Sequence, residues 1–221
     1  MISPASLRIA ALVAILSLPL RAQDAPPSPD AALVQRAEKI VSALALADEA
    51  QAARIRDVVA AQYAALRPVH ETRDTAIQTA RSGAAADKDA SEAAIRVARD
   101  TATARQTELH YAFLARLGAE LGPEQIDKIK DGMTYGVAPN TYRVYLEMLP
   151  DLSAEQRTRI HAWLLEAREH AMDAGSSQEK HAWFGKYKGR INNYLSKAGY
   201  DMKKAERDMF ARKKAADAKT P

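Results

Sequence analysis

The sequence contains no cysteine, and this absence excludes disulfide bonds, thiol catalysis, thiolate metal ligands and a lipoprotein anchor. Aromatic residues are also few, at 6% of the 221 residues. No segment shows the alternation of apolar and polar residues that is typical of a β-strand. The fold must therefore be stabilised by packing between helices. We predict an all-α protein, a multi-helix bundle with a long antiparallel helical hairpin in its N-terminal half.

Long hydrophobic runs are confined to the N-terminus. Arg8, an apolar run over residues 9–20 and Ala22 follow the order of the basic, hydrophobic and cleavage regions of a signal peptide. Because the run is too short to span a bilayer, cleavage after Ala22 leaves no stable membrane anchor. We predict a signal peptide over residues 1–22, an extended, proline-containing leader over residues 23–29, and an exported protein, periplasmic or extracellular.

The sequence also lacks a strong excess of either charge. The whole chain has 32 basic and 28 acidic residues, and removal of residues 1–22 leaves 30 and 28, a net charge of +2. Nucleic-acid binding usually needs a dominant basic surface, so we expect no nucleic-acid partner. Hydrophobic residues at 47% and charged residues at 27% are typical of a globular protein with a real core. Much of the apolar content is alanine, which favours helices.

We predict a single helical domain over residues 30–200, followed by a basic C-terminal helix over residues 201–221 that frays at its end. Ser28 and Pro29 suit the start of a first helix, which runs to about Leu44. The sequence does not indicate an oligomeric state for the protein.

Capping residues outline the predicted hairpin. Asp48 followed by Gln51 is a capping-box pattern for a second helix, and Pro68 should kink that helix. Gly83 then separates it from a third helix, which runs from about Asp87 to Leu117 and packs against the second.

In the C-terminal half, a loop that contains Gly136 and Pro139 separates the first two helices. Ser153 with Gln156 is a second capping-box pattern. The predicted helices span about residues 122–132, 140–149, 153–175 and 177–199, and a last one is capped by Asp201.

Ten of the thirteen aromatic residues lie between Tyr135 and Phe210, so we expect any ligand to bind in the C-terminal half. Within this half, one helix carries four polar residues on one side at spacings of three, four and seven, an arrangement that suits a divalent metal or an acid/base pair. These residues are Glu166, Glu169, His170 and Asp173. Acidic residues are also common on an exposed helix face, and we prefer that interpretation, so no metal site and no cofactor is predicted.

The segment HAWFGKYKGRINNYL is unusual because Gly185 and Gly189 share a helix face with His181 and Asn192. Glycine inside a helix costs about 1 kcal/mol relative to alanine. We therefore expect either a closely packed helix or a bound ligand over these glycines.

The predicted loop DGMTYGVAPNTY carries Tyr135 and Tyr142 around a proline turn. Tyrosines beside hydrogen-bond donors suit sugar recognition, because their faces stack on pyranose C–H groups. They equally suit plain packing at the edge of a core. The candidate ligand-binding residues of the chain are Tyr135, Tyr142, His170, Asp173, His181, Trp183, Lys186, Arg190, Asn192 and Asn193.

The runs DGMTYGVAPNTYRVYLEMLP and EAREHAMDAGSSQEKHAWFGKYKGRINNYLSKAGYD resemble those of a domain-of-unknown-function family of exported bacterial proteins. The resemblance covers about residues 31–200. It implies sugar binding, the only role suggested for that family, and it brings no catalytic residues.

Three functions follow as expectations. The first is a carbohydrate-binding or carbohydrate-processing accessory protein with an oligosaccharide ligand. The second is a glycan-active enzyme that uses His170, Asp173, Glu166 or His181 as acid and base, although no nucleophile motif is present. The third is a periplasmic chaperone-like or structural helical protein.

Overall fold

The computed structural model describes residues 30–83 and 87–217, and the predicted all-α class is confirmed there. The described residues form eight helices and no strand: α1 (Ala31–Ser42), α2 (Glu49–Ser82), α3 (Lys88–Gly118), α4 (Pro123–Met133), α5 (Val137–Met148), α6 (Ala154–Met172), α7 (Ser177–Lys197) and α8 (Met202–Asp217). The predicted signal peptide, leader and Ser28–Pro29 start lie outside the described residues. None of the described helices is long and apolar enough to span a membrane.

Aspartate side chains begin the first helices. Asp30 accepts a hydrogen bond from the backbone N–H of Leu33 at 3.0 Å, so α1 starts two residues later than predicted. Asp48 caps α2 as predicted. The capping box is not formed, because the Gln51 side chain instead donates to the Glu120 carbonyl at 2.8 Å and so ties α2 to the end of α3.

The predicted hairpin is confirmed as the antiparallel pair of α2 and α3. α2 continues as a helix through Pro68, where the missing backbone N–H removes one helical hydrogen bond. Near the tip, the Ser91 hydroxyl donates to the Ala80 carbonyl at 2.8 Å and joins the two helices.

The buried side chains form two hydrophobic clusters. The first is built by α1 to α4 and includes Ile55, Phe113 and Leu117. The second is built by α5, α6 and α7, with Tyr145 and Phe184 among its members, and α8 packs on α5 and α7 at its edge. The cleft described below lies where these two clusters meet.

α6 belongs to both clusters. Its earlier buried residues, Ile160 and Leu164, pack in the second cluster, whereas its last residue, Met172, packs in the first. The buried Lys180 fixes this end of the helix, since its ammonium donates to the carbonyls of Ala171 at 3.0 Å and Met172 at 2.8 Å. Burial lowers the pKa of Lys180 to about 8.

The connection between α4 and α5 is shorter than the predicted loop. Only residues 134–136 lie between the helices, and Pro139 occupies the first turn of α5, where proline is tolerated. The chain reverses through two consecutive residues in the left-handed region, Tyr135 at φ +58° and Gly136 at φ +65°. A bulky residue rarely adopts this conformation, so Tyr135 is strained.

Candidate functional site

A cleft of about 880 Å³ opens between the hairpin and the α6–α7 pair. One wall comes from α2 and α3 and includes Gln106 and Tyr111, whose side chain is 67% exposed. The opposite wall comes from α7 and includes Trp183 and Lys186. The cleft therefore presents aromatic rings on two sides with polar groups between them.

Four of the ten predicted site residues line this cleft: His170, Asp173, Trp183 and Lys186. The rings of His170 and Trp183 are stacked with centroids 4.4 Å apart and planes 17° apart. The Lys186 ammonium lies 5.0 Å from the Trp183 ring centroid, a cation–π distance. The α6–α7 wall thus carries a compact aromatic and cationic group.

Four of the others lie elsewhere. The Tyr135 ring stacks on His181 at 6.0 Å, Tyr142 contacts His161 at 4.8 Å, and the Asn192 amide oxygen accepts a 2.7 Å hydrogen bond from the Tyr145 hydroxyl. His181 and Trp183 are two residues apart and so point about 200° apart around the helix axis.

The last two predicted residues, Arg190 and Asn193, line a separate shallow groove beside Trp163. The Arg190 guanidinium lies over the Tyr187 ring at 4.8 Å and pairs with Glu166 at 3.5 Å. The ten predicted residues therefore do not meet in a single pocket.

At the glycines of α7 the expected closely packed helix is absent among the described residues, and a ligand over these glycines stays a prediction. A Cβ atom added to Gly185 or Gly189 would have no neighbour within 4 Å from any other part of the described structure. No described helix packs on these two glycines, and the space beside them is open rather than enclosed. The glycines of α7 are therefore not required by close packing.

The sequence-based prediction missed His110, which is the best-positioned titratable group of the cleft. Its Nδ1 lies 2.6 Å from Asp173 Oδ2. The other Asp173 oxygen accepts a hydrogen bond from Gln62 Nε2 at 3.2 Å, so the carboxylate is held from two helices. Since Nδ1 faces a carboxylate, it carries the proton and leaves Nε2 as the atom that exchanges protons. The arrangement is an aspartate-oriented imidazole in the wall of a cleft.

The charged side chains around His110 are paired with one another. Its Nε2 lies 3.6 Å from Glu169 Oε2, beyond hydrogen-bond distance. The same Glu169 oxygen accepts from Lys130 Nζ at 2.8 Å, and Glu169 Oε1 lies 3.5 Å from the buried Arg168. Within residues 30–83 and 87–217, no group of three histidine or carboxylate side chains is arranged to hold a metal ion.

The hydrogen bond to Asp173 raises the pKa of His110, with further contributions from the charges of Asp173 and Glu169. His70, on α2, behaves oppositely, since burial lowers its pKa. Its Nδ1 lies 3.3 Å from the Gln106 amide nitrogen, whereas its buried Nε2 has no hydrogen-bond partner among the described residues.

One sequence signal could have drawn attention to this cluster. Gln62 occupies the apolar stripe of α2 between Val59 and Leu66, and its side chain is buried. A buried amide needs a hydrogen-bond partner, which indicates a polar group on a facing helix. His110 itself gave no signal, because α3 has little amphipathic pattern from which a polar position could be singled out.

A sequence model for proteins of unknown function, DUF3826, matches residues 31–215, from α1 to the last turn of α8. A comparison with curated proteins found no match. Because the matched region includes both walls of the cleft and far more than half of the chain, the chain belongs to the DUF3826 family of proteins of unknown function.

Proposed function

We propose that this protein is an exported carbohydrate-binding protein and that its oligosaccharide ligand occupies the cleft between the hairpin and the α6–α7 pair. The observation that carries the proposal is that two aromatic side chains, Tyr111 of α3 and Trp183 of α7, line the same cleft of about 880 Å³. Pockets of this size accommodate small ligands, and aromatic faces with polar rims suit sugar rings. The predicted signal peptide supports the exported location.

The polar groups of the cleft also suit hydroxyl recognition. Thr103, Gln106 and Thr107 lie along the α3 wall and offer donors and acceptors. Because the His170 ring already stacks on Trp183, the aromatic side of the α7 wall is fixed before a ligand arrives. A fixed side chain reduces the ordering cost of binding.

The test is calorimetric titration against plant and bacterial oligosaccharides with the variant Tyr111→Ala. The exposure of Tyr111 means that this change should leave the fold intact, and we expect about tenfold weaker binding from the loss of a stacking surface. Phe210→Ala is the matched control, because Phe210 is 59% exposed and lies outside the cleft lining. Equal affinity of Tyr111→Ala and wild type would contradict the site.

A fluorescence measurement locates the ligand independently. The chain has two tryptophans, so Trp163→Phe leaves Trp183 as the only indole. We expect ligand to change the emission of this variant. A parallel Tyr135→Ala variant tests the Tyr135–His181 stack: loss of binding there, with normal binding by Tyr111→Ala, would move the site away from the cleft.

A second candidate function, a glycan-active enzyme, is favoured by the 2.6 Å contact between His110 and Asp173. Asp173 orients the imidazole, and the Nε2 atom can donate a proton to, or accept one from, a group of the ligand. We expect Asp173→Asn and His110→Gln to abolish product release in reducing-end assays while binding persists. Turnover that is unchanged in both variants would remove His110 and Asp173 from catalysis, whereas no turnover by the wild type would leave carbohydrate binding alone.

A further inference from the structure

The carboxylates that line the cleft all have cationic partners. Arg73 pairs with both Asp74 at 2.8 Å and Glu179 at 2.7 Å. Asp173 faces His110, and the fourth carboxylate, that of Glu169, pairs with Lys130. Each carboxylate of the cleft therefore already has a basic partner, although Asp74 and Glu179 share one, and these contacts reduce what the carboxylates offer to a cationic ligand.

Two cations of the same cleft lack such a partner. Arg99 on the α3 wall and Lys186 on the α7 wall form no ion pair with any described acidic side chain. Lys186 lies over the Trp183 ring, where it remains available to an anion in the cleft. His110 adds a third polar contact, because the Nε2 atom of its ring has no hydrogen bond to any described residue and donates to an anion when the ring is protonated.

Arg99 and Lys186 therefore place unpaired positive charge on both walls of a cleft that is also lined by aromatic rings. A guanidinium binds a planar carboxylate through two parallel hydrogen bonds, and an ammonium adds a compact charge. An oligosaccharide that carries carboxylates on its rings satisfies the cations and the aromatic side chains together. A neutral oligosaccharide would leave both cations without a partner.

We propose that the ligand of this cleft is an acidic oligosaccharide built of uronic acids, whose carboxylates bind Arg99 and Lys186. This inference rests on the proposed carbohydrate-binding function and adds the chemical class of the ligand. The sugar rings lie between Tyr111 and Trp183, and His110 contacts the ligand from the α3 wall.

The experiment compares ligands that differ only in charge. Oligogalacturonides, oligoglucuronides and alginate oligomers are each titrated beside the methyl ester of the same chain length, which removes the negative charge and keeps the rings. We expect the acid of at least one pair to bind about tenfold or more tightly than its ester, because each hydrogen bond to a charged group contributes substantially. The difference should shrink as salt is raised.

Variants assign the charge effect to the cleft. Arg99→Gln and Lys186→Gln should each weaken binding of the acid about tenfold and leave binding of the ester nearly unchanged. Arg96→Gln and Lys188→Gln are the matched controls, because these exposed residues lie on the same two helices and do not line the cleft. Circular dichroism confirms that each variant is folded.

Each outcome decides one question. Equal or tighter binding of the esters would overturn the acidic ligand class and leave the carbohydrate-binding proposal standing. A preference for acids that the control variants weaken as much as the cleft variants would also overturn it, since the attraction would then be general. Preferential binding of sulfated glycans that lack uronic acids would overturn the claim that the charged group of the ligand is a carboxylate. Failure of every acid and ester to bind would overturn the acidic ligand class, and the carbohydrate-binding proposal would then be decided by the neutral members of the oligosaccharide panel.

Discussion

The junction between the two hydrophobic clusters and the open face of α7 use the same residue types in opposite ways. At the junction, Arg168 is buried between Asp127 and Asp131, and Gly175 allows the His70 ring to approach closely. On α7, Gly185 and Gly189 approach nothing. A charged residue or a glycine therefore constrains the fold only where a second element contacts it, and the residue type alone does not reveal such a contact.

The largest expected effect comes from Arg168→Ala. Arg168 is 3% exposed, and its NH1 donates to Asp131 Oδ1 at 2.9 Å. Removing one partner of a fully buried ion pair typically costs about 3–5 kcal/mol of the free energy of unfolding, and we expect about 3 kcal/mol here because the Asp131 and Asp127 side chains left behind are 27% and 54% exposed. Urea denaturation measures this loss. Arg159→Ala is the control on the same helix, because its exposed pair with Glu155 should contribute less than about 1 kcal/mol. Similar losses in both variants would refute the distinction.

A smaller loss is expected from Gly175→Ala and Gly132→Ala. The new Cβ would lie 2.7 Å from the His70 ring in the first variant and 2.8 Å from Ile40 Cγ2 in the second. Overpacking of this kind costs about 1–3 kcal/mol, because neighbouring side chains must shift. Thermal unfolding should show lower melting temperatures for both variants. An unchanged melting temperature would mean that the neighbouring side chains, His70 for Gly175 and Ile40 for Gly132, can shift at little cost.

The His110–Asp173 pair predicts a pH dependence of stability. The pKa of His110 is raised in the folded state, so its contribution is complete below the unfolded value of about 6.5 and is lost as pH rises through the folded pKa. Asp173→Asn should weaken this loss, because its largest cause is removed. Denaturation of both proteins at several pH values above 6 checks the prediction. Identical pH profiles would show that the pair does not influence stability.

The smallest effect, with the opposite sign, is expected at the open glycines. Gly185→Ala and Gly189→Ala should each raise the free energy of unfolding by up to about 1 kcal/mol, because alanine has the higher helix propensity and the added methyl meets open space. The same denaturation experiment measures it. If either variant also binds ligand less tightly than wild type, the ligand covers this face, and the glycines of α7 then allow a close approach as Gly175 does.

The local features of the fold were predictable from the sequence. Asp48, Asp87, Ser153 and Asp201 lie where helix starts were predicted, and all four accept hydrogen bonds from the backbone of the first turn. Such caps depend on residues two or three positions away. The all-α class and the hairpin followed from the same short-range signals.

The site was less predictable because its contacts are long-range. His110 and Asp173 are separated by 63 positions, and no periodicity relates a residue of α3 to the end of α6. The prediction of one pocket also grouped residues such as His181 and Trp183 that are close in sequence, although two residues apart on a helix point to nearly opposite sides. Cleft residues on the hairpin were missed because only three of the thirteen aromatic residues precede Tyr135 in the sequence.

The anchoring of α6 at both ends has a consequence for how the cleft responds to a ligand. Because Ile160 and Met172 are packed in different clusters, α6 cannot rotate or slide without disturbing both interiors at once. The side of the cleft that α6 forms is therefore a stationary platform. We expect any adjustment to ligands of different length to come from the outer turns of the hairpin, where most residues of 71–83 and 87–101 are exposed.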